Sequence, residues 1–436
     1  MANELSRREV LIGSTAAAIG LAAGPALAAQ QPKPATDKTL RIGVIGCGGK
    51  GWSGMQDAAN FGLITAVCDV DQNDLQKAMQ EHRRASAFRD YRVMLDAMKG
   101  RLDAVVISTP DHHHALASAL AMKAGMHVYC EKPLTRTISE SRELERIARR
   151  TRVATQMGNQ STASTPMRKV AALLARKEWG EVKEIHLWTD RAGGWWPQGV
   201  SRPAAKAAPN SVDFDLWLGP SPERPYADGY HHFAWRGWWD FGTGSLGDMG
   251  CHIFNLSHMA FDLRDPVAVQ AKTSGHNRDS FPTWSIVTYE YPARRGRPAF
   301  ELHWYDGGKR PDSALAPGME FGGNGVIVVC ERATVFGANE GNYDIKLVGG
   351  QPMPEVSVTE SPGHMAEFAR AALGGPAAVS NFPTYACGLN EAVLLGNLAI
   401  WADGPRLEWD GRSMSVKGTD EFDALIRPTY RAGWGL

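Results

Sequence analysis

The chain has 436 residues, too many for one small core and enough for two domains. Its 47 Lys and Arg balance 47 Asp and Glu, which excludes the basic excess expected of a protein whose main partner is nucleic acid or an anionic membrane surface. An apolar content of 43% is ordinary for a globular protein, and no charge block or internal repeat stands out.

Residues 1–28 read as an export signal. Ser6-Arg7-Arg8 precedes an apolar, small-residue run from Val10 to Ala23, and Ala26-Leu27-Ala28 offers a peptidase small side chains. Gly and Pro interrupt the run, which makes it a poor permanent membrane span. The paired arginines resemble a twin-arginine signal, which carries folded proteins across the bacterial inner membrane, so the expected location is periplasmic or secreted. Residues 29–38 form a polar linker. The six cysteines are dispersed, lack a CxxC pair and read as small buried side chains.

Residues 39–160 read as a dinucleotide-binding domain. Leu40 to Ile45 is a buried strand running into Gly46-Cys47-Gly48-Gly49-Lys50-Gly51 and then a helix. In that turn Gly46 permits the bend, Gly48 lets the backbone approach a pyrophosphate, and Gly51 allows close helix packing. Gly49 belongs to the same cradle, and the helix N-terminus faces the phosphates. The next strand, Leu63 to Val67, ends at Asp69, placed to accept from the ribose hydroxyls and repel a 2′-phosphate, which favours NAD over NADP. Leu102 to Ile107 is a strand ending at Ser108-Thr109-Pro110, and a helix follows from about His114 to Ala124. His127 to Cys130 is another strand, closed by Glu131-Lys132-Pro133. Strands alternating with helices mean a parallel sheet whose ligand-facing edge carries these turns.

A further strand from Val153 ends at Gly158-Asn159-Gln160, where Asn159 and Gln160 are candidate substrate donors. Residues 161–410 read as a second α/β domain opened by a strand from Glu181 to Trp188. Asp190 to Phe241 is irregular, and eight of the fourteen tryptophans fall between Trp179 and Trp239. Aromatic platforms beside polar groups suit sugars, but tryptophans also pack long loops; Arg236 either meets a substrate or stacks on neighbouring rings. Strands over Phe281–Glu290, Ala299–Tyr305, Gly325–Cys330 and Ala333–Phe336 fit an open, mostly antiparallel sheet, which favours a homodimer or homotetramer. Asn390 to Ala402 is an apolar helix expected to pack back on the first domain. Residues 411–436 read as a terminal extension.

The glycine turn, Thr109-Pro110-Asp111 with His114, Glu131-Lys132-Pro133, and Gly247-Asp248-Met249-Gly250-Cys251-His252, in that order, resemble the Gfo/Idh/MocA oxidoreductase family over Leu40 to Trp409. The resemblance implies a Rossmann domain joined to an α/β domain with a large open sheet, and a dinucleotide contacted by Thr109, Pro110, His114, Glu131 and Lys132. It also implies a lysine, Lys132, between nicotinamide and substrate, and an acid–histidine pair, Asp248 and His252. Pro133, by the same resemblance, follows a cis bond. On a helix beginning near Asp248 the pair shares a face. Asp248 is expected to hold the imidazole's tautomer and raise its pKa so that His252 takes a hydroxyl proton while Lys132 donates to the reacting oxygen.

Asp248 and His252 could instead ligate a metal, with His112-His113-His114 and His231-His232 as further nitrogen donors. None has the paired spacing of a zinc site, and no metal is expected. The leading expectation is a dehydrogenase or oxidoreductase of a sugar, glycoside or polyol with tightly bound NAD. Two alternatives are an NAD-dependent glycosidase working by transient oxidation, and a non-catalytic sugar-binding protein.

Overall fold

The structure, a computed structural model, describes residues 39–191, 194–294, 296–338 and 344–436. The expected export signal and linker lie outside the described residues.

The first sheet is six-stranded and wholly parallel. Its strands are β1 (Leu40–Ile45), β2 (Gly62–Cys68), β3 (Ser86–Phe88), β4 (Ala104–Ile107), β5 (His127–Glu131) and β6 (Thr155–Gly158). The order β3-β2-β1-β4-β5-β6 is that of a Rossmann fold. Every residue of β4 is buried, as expected for a strand covered on both faces. Its helices are α1 (Lys50–Ala59), α2 (Gln72–Glu81), α3 (Tyr91–Ala97), α4 (Asp111–Lys123) and α5 (Ile138–Thr151). Local signals set their starts: Asp71 caps α2 by accepting from the Asn73 N–H at 2.9 Å, and on α5 Glu140 reaches back to accept from the Thr137 N–H at 2.9 Å.

After α6 (Thr165–Ala175), strand β7 (Val182–Thr189) enters a nine-stranded sheet. Its other members are β8 (Ala268–Thr273), β9 (Ser285–Tyr291), β10 (Phe300–Tyr305), β11 (Asn324–Cys330), β12 (Thr334–Ala338), β13 (Asp344–Leu347), β14 (Leu407–Asp410) and β15 (Ser415–Val416). Only β7 and β10 pair parallel; all other neighbours are antiparallel. The order is β13-β12-β11-β7-β10-β9-β8-β14-β15. The chain between β7 and β8 holds short α7 (Phe214–Leu218), then α8 (Gly244–Ile253) and α9 (Asn255–Phe261); α10 (His364–Ala372), α11 (Cys387–Ala402) and α12 (Asp423–Ile426) follow. No helix among the described residues is long and apolar enough to cross a membrane. All six cysteines are buried and free.

The aromatic segment forms a small core of its own, with Trp217, Tyr230, Trp235, Trp238 and Phe241 packed together. Trp217 and Tyr230 stack at 6.2 Å with an interplanar angle of 2°. Most of these rings therefore hold the segment together, and only Trp217 and Trp235 also line the cleft described below.

Helix α11 sets the two halves against each other. Residues 387–400 are all buried, and Leu389, Val393 and Leu395 are fully so, each worth about 1.5–3 kcal/mol. Inside this apolar helix Asn390 accepts from the Leu134 N–H at 2.9 Å and donates to Thr135 Oγ1 at 2.9 Å and Ser141 Oγ at 2.7 Å. The next residue, Glu391, takes both ends of the Arg142 fork from α5. These contacts immobilise the chain just after Lys132–Pro133. Beyond β15, Trp434 packs on Tyr91 and His113 of the first domain.

Candidate functional site

β1 and β4 are neighbours whose following helices lie on opposite faces, so a crevice opens between their carboxyl ends. A cleft of about 460 Å³ occupies it. Gly46 has φ +84°, and a Cβ there would stand 2.7 Å from the Ser108 carbonyl oxygen. A Cβ on Gly51 would meet the Gly46 carbonyl oxygen at 2.0 Å, so helix α1 approaches the turn as closely as it does only because residue 51 is glycine. Gly49 is the N-cap of α1 and no side chain caps that end; the Gly51 N–H turns to the Gly48 carbonyl at 2.8 Å, and the helix end faces the cleft with no side chain over it. Gly46, Gly48 and Gly49 line the cleft, while Gly51 packs behind it.

Asp69 lines the same cleft at the end of β2. Its Oδ2 accepts from the Cys47 N–H at 2.6 Å and its Oδ1 from the Asp71 N–H at 2.8 Å, and each oxygen keeps a second lone pair. Burial pushes its pKa up to about 6 against the pull of those two bonds. Thr109 and Pro110 close the facing wall. His114 braces it, with Nδ1 2.7 Å from the Pro133 carbonyl and Nε2 2.8 Å from that of Thr109. Glu131 is fixed by Gln160 Nε2 at 3.1 Å and lies 3.6 Å from Lys50 Nζ.

At the other end the two domains meet through charge. Lys132 follows β5, and its bond to Pro133 is cis, as the resemblance implies. Its Nζ donates to the Asp248 carbonyl at 2.7 Å and to Asp248 Oδ1 at 2.9 Å. Arg236 Nε donates to the same Oδ1 at 3.2 Å while its guanidinium stacks over Trp235 and Phe233. Burial opposes the ionisation of Asp248, yet Lys132 and Arg236 together hold its carboxyl well below the usual range.

His252 lies in the same cleft, and two expectations about it are corrected. Helix α8 starts at Gly244 rather than near Asp248, so Asp248 sits in its second turn. Asp248, paired with Lys132 and Arg236, does pull the imidazole's pKa upward, but that pull is outweighed. Burial, aided by Lys132, pushes His252 down to about 3, and its Nδ1 has no hydrogen-bond partner among the described residues. The resting imidazole is a neutral acceptor.

Of the candidate substrate donors, Gln160 and Arg236 line the cleft. Asn159 does not: it is fully buried, accepts from Ser380 Oγ and donates to Asn255 Oδ1 at 3.4 Å, so its polar atoms face a closed network. One residue with no assigned role joins the site. Asp111, at the start of α4, lines the cleft, accepts from Thr243 Oγ1 at 2.6 Å, and is pushed by burial up to about 7. Its place in the Thr109-Pro110-Asp111 run was visible; its burial against α8 was not. His112 and His113 both turn to the Trp217 carbonyl, at 2.9 and 2.7 Å, and converge on no carboxylate. His231 and His232 do converge on one, with their Nε2 atoms 3.1 and 3.6 Å from Asp71 Oδ2.

Fold and cleft together define a two-domain protein with a dinucleotide crevice in its first domain. Residues 40–159 match the description "Oxidoreductase family, NAD-binding Rossmann fold", and residues 189–295 match "Oxidoreductase family, C-terminal alpha/beta domain", together just over half of the chain. The chain belongs to the Gfo/Idh/MocA oxidoreductase family, and its first domain is that family's NAD-binding Rossmann domain. It is 34% identical over 159 residues to a glycosyl hydrolase family 109 protein of Solibacter usitatus, covering 33% of this chain and 36% of that one. It is 32% identical over 118 residues to the D-glucoside 3-dehydrogenase of Escherichia coli, covering 26% and 33%. The matched segments thus span about a third of these curated relatives. The WlbA dehydrogenase of Bordetella pertussis, solved with NADH and UDP-GlcNAcA, superposes with a TM-score of 0.60 at 17% identity over 86% of this chain and 99% of that one, a likeness of fold.

Proposed function

We propose that this protein is an NAD-dependent oxidoreductase acting on a hydroxyl of a sugar, glycoside or polyol, with a cofactor that stays bound between turnovers. The observation that carries the proposal is the meeting of Lys132 with Asp248, beside His252, in the cleft that also holds the glycine turn. The cradle fits a dinucleotide: Gly46 and Gly51 occupy positions where a Cβ would collide with backbone, and the uncapped end of α1 awaits a phosphate. Gly46 to Gly51 would hold the pyrophosphate, Asp69 the adenosine ribose, and Thr109, Pro110 and Glu131 the stretch toward nicotinamide. When bound, the nicotinamide ring supplies the hydride acceptor or donor.

The chain's own residues do the rest. Lys132, anchored by Asp248, directs an N–H donor at the substrate oxygen and stabilises negative charge there. His252, kept neutral by burial and by Lys132, accepts the hydroxyl proton without first having to lose one. Arg236, braced by Phe233 and Trp235, provides donors for further hydroxyls, while Gln160, whose Nε2 is held by Tyr129 and Glu131, would meet them through its Oε1 as an acceptor. The similarity to a D-glucoside 3-dehydrogenase supports a sugar substrate. Folded export of the chain would require the cofactor to travel with it, which is the reason for proposing that it is retained.

Asp69 sets the choice of dinucleotide in this reading. Asp69→Ser removes a half-buried carboxylate from beside the ribose 2′-position, and the ratio of NAD to NADP affinity should fall by at least about tenfold, measured by fluorescence titration. An unchanged ratio places the discrimination elsewhere.

The similarity to a glycosyl hydrolase family 109 protein favours a second reading, in which a glycoside is transiently oxidised, eliminated, hydrated and re-reduced with no net redox change. Denaturing the purified protein should release about one NAD per chain. Incubating it with a panel of glycosides and polyols then separates the readings. A carbonyl product that needs an added acceptor supports the oxidoreductase, aglycone released without acceptor supports the glycosidase, and neither product across the panel defeats both.

A further inference from the structure

The aromatic segment does more than pack on itself; it returns to the first domain. Val212 bridges Asp71, the Gln72 N–H donates to the Ser211 carbonyl at 2.9 Å, and the Asp213 N–H donates to that of Val70 at 3.0 Å. Arg89 Nη2 fastens the seam, reaching the carbonyls of Val70 at 2.6 Å and Ser211 at 3.1 Å. Twenty residues on, His231 and His232 come back to the same place at the rim of the cleft.

Both imidazoles aim Nε2 at one oxygen, Asp71 Oδ2, at 3.1 and 3.6 Å, and their ring centroids are 3.5 Å apart. Asp71 is buried and cannot swing away, because its Oδ1 accepts the N–H that starts α2. All three ligand atoms lie within 4.8 Å of one another. Ligands about 2.0–2.1 Å from a tetrahedral zinc stand about 3.3 Å apart, and the two imidazole–carboxylate separations bracket that value. Asp74 Oδ2 lies 3.9 Å from His232 Nδ1, the nitrogen of that ring turned away from Asp71.

We propose that Asp71, His231 and His232 form a binding site for a divalent transition ion, best matched by zinc, with a fourth position open to water. The ion would join residues 160 positions apart and staple the aromatic segment across the cleft. Asp74 stands directly beside Gly48, where a Cβ would meet its Oδ2 at 2.2 Å, so the staple closes over the phosphate end. Slowed dinucleotide release is the consequence, and this part rests on the function proposed above; the metal site itself does not.

The test uses the full chain as purified, stripped with a chelator and titrated with Co²⁺ and then Zn²⁺. About one ion per chain is expected, with the visible absorption of tetrahedral Co²⁺ that Zn²⁺ abolishes. His232→Gln, at a position 64% exposed and therefore tolerant of change, should bind at least about tenfold more weakly. Absence of Co²⁺ absorption in the folded wild type, or equal binding by His232→Gln, overturns the site and leaves only a hydrogen-bonded contact. Release of bound NAD should be several-fold faster from stripped than from Zn²⁺-loaded protein. Equal rates overturn the staple, and a protein that binds zinc but never NAD overturns the functional reading while leaving the metal site standing.

Discussion

Lys132→Met is expected to lower kcat by at least about a thousandfold while the dinucleotide stays bound. The substitution keeps an unbranched side chain of similar length but removes the N–H donor that points into the cleft beside His252. It also strips Asp248 of its 2.9 Å partner and leaves Arg236, at 3.2 Å, as the neighbouring cation. A buried carboxylate losing one of two cations destabilises the fold, so the variant should melt earlier than the wild type as well. The measurement pairs turnover with bound dinucleotide and a thermal melt. If kcat stays within tenfold of the wild type in a folded, NAD-loaded variant, Lys132 does not touch the reacting oxygen and the proposed chemistry fails.

The second large effect is on stability in acid. Burial holds His113, His186, His258 and His364 down to about 4 and His252 to about 3. In the unfolded chain each would take a proton near 6.5, so between pH 6 and 4 the unfolded state binds more protons at these five sites, and acidification favours unfolding. Three carboxyls act in the opposite sense: burial raises Asp69 and Asp306 to about 6 and Asp111 to about 7, so the folded state keeps protons that the unfolded chain releases above 3.8. Burial also lowers His112, His114, His231 and His303 and raises Glu391, so the downshifted imidazoles outnumber the upshifted carboxyls and the unfolded chain binds more protons. Stability should therefore fall as the pH drops from 6 toward 4. Urea titrations of dinucleotide-free protein at pH 7, 6 and 5 measure this directly. A midpoint that holds steady or rises as the pH drops would mean that the buried carboxyls outweigh the imidazoles.

The first domain was readable from the chain because its signals are local. A strand running into Gly46-Cys47-Gly48-Gly49-Lys50-Gly51, with Asp69 one strand later, specifies a crossover unit within thirty residues, and backbone sterics at Gly46 and Gly51 explain why glycine stands there. The start of α8 was misread because Gly244, Gly247 and Gly250 give its first turns little helical propensity; packing supplies what propensity lacks, as a Cβ on Gly247 would meet Thr243 Oγ1 at 1.9 Å. Asn159 was placed correctly at a strand end, but a strand end does not reveal which way a side chain turns. Asp248 illustrates the larger limit. Its helical spacing to His252 is a local property, whereas its pairing with Lys132 spans 116 positions and exists only once the domains dock. The same holds for His231 and Asp71, and for the Asn390 side chain that holds the chain after Pro133.

Helix α11 limits how far the two halves can be treated as interchangeable parts. It reaches α5 through Asn390 and Glu391 while a Cβ on Gly396 would strike Tyr289 of the second sheet, so neither half owns a finished surface without it. A chimera that trades the C-terminal half for a relative's would have to import a matching side chain for Leu134 and Thr135 to grip, or the lysine would lose its aim. The modularity that two separate sheets advertise stops at this one shared beam.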